Sequence, residues 1–202
     1  ITSFLKANVT STVNWGQTNY SNYSNPFYGS KVGVNGEINK QSTSALRTNN
    51  VQTLTYFQDF DRHSVNVMVG HEYYKTTTKF LGAIAQGGFS PSIPEIDAFA
   101  KISDASSYKS GYNVEGYFGS AQYNYDQKYF ASASFRRDAS SYFAKENRWG
   151  NFWSVGGAWL ISKENFMQSS ASWLNMLKLK FSVGQQGNDN IGAYAYTDLY
   201  DL

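Results

Sequence analysis

Strict alternation of apolar and polar residues over long segments is the feature that most constrains this chain. From His63 onward, Val65 and Val67 alternate with Ser64 and Asn66. The same pattern recurs in segments that begin near residues 113, 128, 151 and 176. Successive side chains of a β-strand point to opposite faces of its sheet. The pattern therefore predicts an all-β chain whose strands have one apolar and one polar face.

The segments are also long. Soluble strands usually have about 5–6 residues, whereas strands that cross a bilayer at a tilt need about 9–11. The length of the segments favours a membrane barrel over a soluble sandwich. Eight antiparallel strands are predicted, at 1–13, 49–60, 63–76, 112–126, 127–138, 150–162, 175–187 and 193–202.

The predicted connections alternate in length. Asp61-Arg62 and Asp126-Gln127 are tight turns, and the segments 14–48, 77–111 and 139–149 are longer loops. Short turns on one side and long loops on the other are typical of up-and-down outer-membrane barrels.

Composition excludes several other classes of protein. The chain has no cysteine, which excludes disulfide frameworks and zinc-thiolate sites. It has no apolar run long enough for a transmembrane helix and no recognisable signal peptide. The formal charge of +2 is dispersed, which argues against a nucleic-acid partner. His63 and His71 match no metal motif, and phosphate-binding and nucleotide-binding motifs are absent, so neither an enzyme nor a cofactor is expected.

A sheet that crosses a bilayer cannot leave its edges unpaired, because each unsatisfied backbone group costs several kcal/mol. The eight strands must either close on themselves or continue into strands outside the chain. A barrel of eight strands is filled by its own side chains, yet the polar faces here carry mostly Ser, Asn, Gly and Ala. We therefore expect residues 1–202 to be part of the wall of a larger barrel, whose remaining strands are missing from this sequence.

Residues 112–196 resemble a known family. The stretch YNYDQKYFASASFRRDASSYFAKENRWGNFWSVGGAWLISKENFM and the following WLNMLKLKFSVGQQGNDNIGAYAY are similar to the SusC/RagA family of TonB-linked outer-membrane transporters. The family pattern combines F-R-x-D-G-S-S, N-R-W-G and W-L-x-x-L-K-L-R in that order. Residues 49–76 resemble the preceding hairpin of the family. Ala139 departs from the pattern, in which a glycine is usual, and predicts an altered turn after Asp138.

The resemblance implies a barrel of about 22 strands in the outer membrane of a Gram-negative cell. It also implies import of glycan or peptide oligomers, powered by the TonB complex acting on the missing plug. The expected partners are a SusD-like surface lipoprotein, the oligosaccharide or peptide cargo and outer-membrane lipid. Two other hypotheses remain open: a TonB-dependent receptor for metal chelates, and a secreted β-sandwich that binds carbohydrate. A complete eight-stranded barrel is a third.

Three groups of candidate residues are predicted. The first is a loop-base motif in which ion pairs hold two strands in register, although contact with the substrate is an alternative role; it comprises Arg136, Asp138, Asn147, Arg148 and Trp149. The second is an aromatic girdle of Trp153 and Trp159 on the apolar face. The third consists of aromatic residues in the first loop that stack on sugars or pack among themselves, namely Trp15, Tyr20, Tyr23 and Tyr28.

Two basic residues, Lys75 and Arg137, fall in the outward register near strand ends. For each residue two roles are equally open: contact with lipid phosphates, and a solvated position at the base of a loop.

Overall fold

The computed structural model describes residues 4–170 and 172–191. These residues form seven β-strands in one sheet, in which each strand pairs with its neighbours in chain order. No helix in the described part of the chain has both the length and the apolar character needed to cross a membrane. The strands are β1 (Leu5–Ser24), β2 (Glu37–Phe60), β3 (His63–Gly88), β4 (Phe99–Tyr125), β5 (Tyr129–Ser140), β6 (Trp149–Leu160) and β7 (Lys178–Gln185).

Seven of the eight predicted strands are confirmed, and the eighth, at 193–202, lies outside the described residues. The predicted loops 14–48 and 77–111 are wrong in extent. β1 and β2 continue as strands to Ser24 and from Glu37, so their connection is only 25–36. β3 and β4 likewise run to Gly88 and from Phe99. Residues 14–24 and 37–44 are mostly polar on both faces, whereas residues 80–85 carry apolar side chains on both. Neither kind of stretch shows the alternation by which strands are recognised in a sequence.

Both predicted tight turns are confirmed. Asp126 and Gln127 have φ values of 52° and 53°, and the Lys128 amide donates to the Tyr125 carbonyl at 3.0 Å. Two successive residues with positive φ match the right-handed twist of a hairpin. Asp61 also has a positive φ, of 52°. Below, the end of the sheet that carries these two turns is the turn end, and the opposite end of β5 and β6 is the loop end.

The register of β4 to β7 separates two faces. Tyr117 pairs with Arg137, Ala121 with Ala133, and so on along antiparallel ladders that always match odd with odd residues. The odd-numbered residues from Tyr117 to Val183 in these strands form what we call the apolar face. The even-numbered residues form the polar face.

The chain divides into two compact units. Unit 1 contains residues 1–11, 49–74 and 112–202, and unit 2 contains residues 12–48 and 75–111. Among the described residues of unit 2, a small core forms around Ile38, Ala85 and Phe99, with Tyr23 and Ile96 packed against it. This core lies where the 25–36 and 89–98 connections meet the strands.

Glu37 ties the 25–36 connection to the strands of unit 2. Its carboxylate lies 2.7 Å from Lys31 Nζ and accepts a hydrogen bond from Gln86 Nε2 at 2.8 Å. These two interactions, with Lys31 the larger, lower the pKa of Glu37 from its ordinary value of 4.5. A lowered pKa in the folded state means that the carboxylate stabilises unit 2 above pH 4.5. This stabilisation is lost as the pH falls through the lowered value.

We expect Glu37→Gln to make trypsin cleavage after Lys31 roughly fivefold faster at pH 7, because a charge-assisted contact of about 1 kcal/mol is lost. Mass spectrometry of peptides released from the folded full-length protein measures the cleavage. Glu95→Gln is the control, since Glu95 pairs with Lys40 but is 64% exposed. Equal acceleration in both variants would show that the Glu37 contact does not hold the connection.

Candidate functional site: the two faces of the sheet

The apolar face of unit 1 is exposed. Within β5, β6, β7 and residues 112–125 of β4, every exposed large hydrophobic residue is odd-numbered. Phe118, Phe130 and Phe152, on the polar face, are only half-exposed. A large exposed apolar patch marks a surface that another molecule or a membrane covers. The exposed members of the apolar face are Tyr117, Tyr123, Tyr129, Phe135, Trp149, Trp153, Val155, Leu179, Phe181 and Val183.

A belt of aromatic rings borders this face at the turn end. Tyr129 stacks on Tyr125 at 6.2 Å and on Trp159 at 6.3 Å between ring centroids. The Tyr129 hydroxyl and the Trp159 indole both donate to Glu164 Oε1, at 2.6 and 2.9 Å. These hydrogen bonds, Tyr129 first, lower the pKa of Glu164, which lies in the connection after β6. The polar atoms of Tyr129 and Trp159 are therefore satisfied by the connection that follows β6.

A second aromatic row borders the apolar face at the loop end. Tyr117 stacks on Trp149 with centroids 6.1 Å apart and packs against His71 at 4.8 Å. The guanidinium carbon of Arg137 lies 5.2 Å from the centre of the Trp149 ring. We call these four residues the loop-end row.

The distance between the turn-end belt and the loop-end row matches the height of the lipid-facing band of a membrane barrel. Trp149 and Trp159 are ten residues apart on β6, which corresponds to about 33 Å along a strand. A strand tilted as in a membrane barrel spans about 25 Å in projection, the height of the lipid-facing band of such barrels. Of the two predicted girdle residues, Trp159 lies in the turn-end belt, whereas Trp153 lies four residues inside the loop-end row. The girdle itself stays a prediction.

The polar face carries an ion-paired network at its loop end. Arg136 Nε lies 2.8 Å from both carboxylate oxygens of Asp138, and its Nη2 donates to Glu72 Oε2 at 2.8 Å. Asn49 Nδ2 also donates to Glu72, at 3.1 Å. Gly116 lies beneath this network: a Cβ there would come 2.3 Å from Asp138 Oδ1 and 2.7 Å from Arg136 Nη2. A side chain at this position would displace the Arg136 fork, which joins β3 to β5 across β4.

The residues of the loop-base motif are divided between the two faces of the sheet. Four of the five nevertheless line one cavity of about 390 Å³ at the loop end, namely Asp138, Asn147, Arg148 and Trp149. Arg136 and Asp138 lie on the polar face, whereas Trp149 pairs with Ala139 and lies on the apolar face. Asn147 and Arg148 end the short 3-10 turn between β5 and β6, and the Arg148 carbonyl accepts from the Ser140 amide at 3.3 Å. The prediction that a turn follows directly after Asp138 is wrong, because β5 continues through the buried Ala139 to Ser140.

The four aromatic residues predicted for the first loop are also dispersed. Trp15, Tyr20 and Tyr23 belong to β1, and only Tyr28 lies in the 25–36 connection. Tyr23 packs edge-on against Phe99 at 6.3 Å, within the core of unit 2. Trp15 and Tyr20, which are both exposed, project to opposite faces because their numbers differ in parity. The sugar-stacking role stays a prediction.

A groove of about 610 Å³ follows the polar face toward the turn end. Its lining includes small residues such as Ser132 and Gly156, and side-chain amides such as those of Asn66 and Gln122. Lys178 Nζ lies 4.2 Å from the centre of the Phe130 ring at its border. Among the described residues, no three His, Asp or Glu side chains gather as a metal site would require.

Two residues of the Arg136 network, Glu72 and Gly116, are not predicted from the sequence. Glu72 and Gly116 have the parity of Arg136, but parity does not tell which residues of separate strands are level. The position of Trp149 on the apolar face follows from its parity with Trp153, which is visible in the sequence.

Known proteins with similar sequences are TonB-dependent receptors, although no family model matches the chain. TonB-dependent receptor P3 of Formosa agariphila is 31% identical over 165 residues, which cover 81% of this chain and 16% of that protein. TonB-dependent receptor P26 of the same organism is 29% identical over 170 residues, which cover 81% of this chain and 17% of that protein. TonB-dependent receptor SusC of Bacteroides thetaiotaomicron is 37% identical over 102 residues, which are 50% of this chain and 10% of SusC. The chain thus spans about a sixth of the length of the first two relatives.

Solved structures agree with the sequences. The RagAB peptide transporter matches 98% of this chain and 22% of its own with a TM-score of 0.89 and 26% identity. The RagAB peptide importer in its open-open state matches with the same TM-score and 25% identity. These similar proteins are named as receptors or transporters, and none as an enzyme. Sequence and fold together identify this chain as a β-barrel segment of a SusC/RagA-type TonB-dependent receptor.

Proposed function

We propose that the chain is part of the wall of an outer-membrane barrel that imports oligomeric nutrients, glycans or peptides, with a SusD-like lipoprotein as its surface partner. The observation that carries the proposal is the exposed apolar face bordered by two aromatic belts. Exposed apolar side chains and flanking aromatic rings suit contact with lipid. The polar face then lines the inside of the barrel.

The role of the segment in transport is structural. The polar face presents hydroxyl, amide and glycine surface to whatever occupies the barrel, and the Arg136 network joins three strands at the loop end. TonB would act through the plug that longer receptors of this type contain. The similar SusC and the RagAB peptide transporter support oligomers over metal chelates as cargo.

A secreted carbohydrate-binding sandwich is not supported. Such a fold needs a second sheet packed on the apolar face, whereas all seven strands of the described residues belong to a single sheet. Strands such as β3, with 26 residues, are also far longer than sandwich strands.

Extraction of the native protein from outer membranes in mild detergent tests the proposal. We expect mass spectrometry to find an intact chain with a mass several times the 22.7 kDa of these 202 residues, together with a lipoprotein. Uptake of candidate oligosaccharides and peptides by cells with and without the gene then identifies the cargo class. A soluble species of 22.7 kDa without a partner would contradict the proposal.

A further inference from the structure

Arg137 is the one arginine or lysine on the apolar face of β4 to β7 among the described residues. It is exposed, and its guanidinium lies over the Trp149 ring at 5.2 Å. No carboxylate of the described residues lies within ion-pair distance of it, whereas the adjacent Arg136 binds two. Stacking on an aromatic ring restrains the guanidinium and leaves its N–H donors available.

Glu115, the acidic residue that contacts the loop-end row, is engaged by two members of the row. Glu115 Oε1 accepts a hydrogen bond from the Tyr117 hydroxyl at 2.8 Å and lies 3.3 Å from His71 Nε2. His71 Nδ1 lies 2.9 Å from Gln52 Oε1 on the other side. The row therefore offers one unpaired cation beside an aromatic platform at the border of an apolar surface.

The rest of the receptor cannot cover this position by extending the sheet. Further strands pair at the open edges of β1 and β7, and β5 lies in the interior of the sheet between β4 and β6. What reaches Arg137 from outside is the surrounding bilayer. Acyl chains match the apolar face, and the group that lies level with its border in a bilayer is the lipid phosphate.

We propose that Arg137, held over Trp149, binds the phosphate of an anionic lipid at the loop end of the apolar face. The guanidinium fork donates two hydrogen bonds to phosphate oxygens, and the Trp149 and Tyr117 rings contact the adjoining part of the lipid. This site rests on the proposed membrane position of the segment. It binds lipid from the leaflet next to the loop end, and its ligand is the phosphate group of the lipid and not a free ion.

The test uses the full-length receptor purified from outer membranes in mild detergent. Retained lipid is quantified by mass spectrometry. Purified lipid A is then added with and without its phosphates, and the resulting shift in thermal stability is measured. We expect Arg137→Gln to reduce the retained phosphorylated lipid roughly fivefold or more and to abolish the phosphate-dependent shift. Arg62→Gln is the matched control, since Arg62 is exposed in a tight turn at the opposite end, and it should change neither quantity.

Trp149→Leu provides a second variant that keeps the charge. We expect roughly a two- to fivefold loss of lipid, because the restraint on Arg137 is removed. Unchanged phosphate-dependent binding in Arg137→Gln overturns the lipid site, and so does an equal loss in Arg62→Gln. If these receptors are still recovered from outer membranes, only the lipid site fails. Absence of the wild-type receptor from outer membranes overturns the proposed function, and the lipid site with it.

Discussion

Ala121→Arg is expected to destabilise the membrane-inserted receptor by about 2–4 kcal/mol, the cost of an arginine on the lipid face at mid-bilayer. Ala121 lies on the apolar face, four residues from Tyr117 and four from Tyr125, and pairs with Ala133. The site is therefore midway between the two aromatic belts. An arginine there has no acidic neighbour on the face and must extend far to reach water.

Gln122→Arg is the matched control, one residue along the same strand. Gln122 lies on the polar face opposite Ser132 and borders the groove, where a charged side chain is hydrated. Both positions are exposed, so neither variant overfills a core. The measurement is the folded fraction of full-length receptor after insertion into phospholipid vesicles, scored by resistance to unfolding in cold detergent. Equal losses in the two variants would show that the apolar face does not meet lipid.

The two faces of the sheet could be predicted from the sequence because side-chain alternation is a local property. Val65 and Val67, or Ala131 and Ala133, reveal their face without knowledge of any partner strand. The full length of the strands could not be predicted in the same way. At Ser42, Thr43 and Ser44 both faces are polar, so alternation carries no contrast there and the sequence predicts a loop where β2 continues.

The register between strands also lay beyond the sequence. Arg136 and Asp138 are neighbours on one strand and were recognised together, whereas Glu72 lies 64 residues away from Arg136. Which residues of β3 and β5 are level depends on how the 89–98 connection and the turn at 126–127 place β4 between them. Gly116 shows its role only once that register is known, because an added Cβ meets Asp138 and Arg136 from the strand between them.

Arg136→Gln is expected to destabilise the folded receptor by about 2–3 kcal/mol. The change removes charge-assisted hydrogen bonds to Glu72 and Asp138. It also leaves these two half-buried carboxylates near each other without a cation. The temperature at which the full-length barrel loses its compact mobility in detergent gels reports the loss. Gly116→Ala should act in the same direction, since its Cβ displaces the Arg136 fork without removing any charge.

A double-mutant cycle separates a structural role from a role in cargo binding. If the ion pair stabilises the barrel, Glu72→Gln and Arg136→Gln together cost about 1 kcal/mol less than the sum of the two single changes. Additive costs would mean that the two side chains do not interact in the folded receptor. An Arg136→Gln receptor with unchanged stability but reduced uptake would instead assign this arginine to the cargo. The expected result is the opposite, because all three charges of the network are satisfied by one another and none is left to bind a ligand.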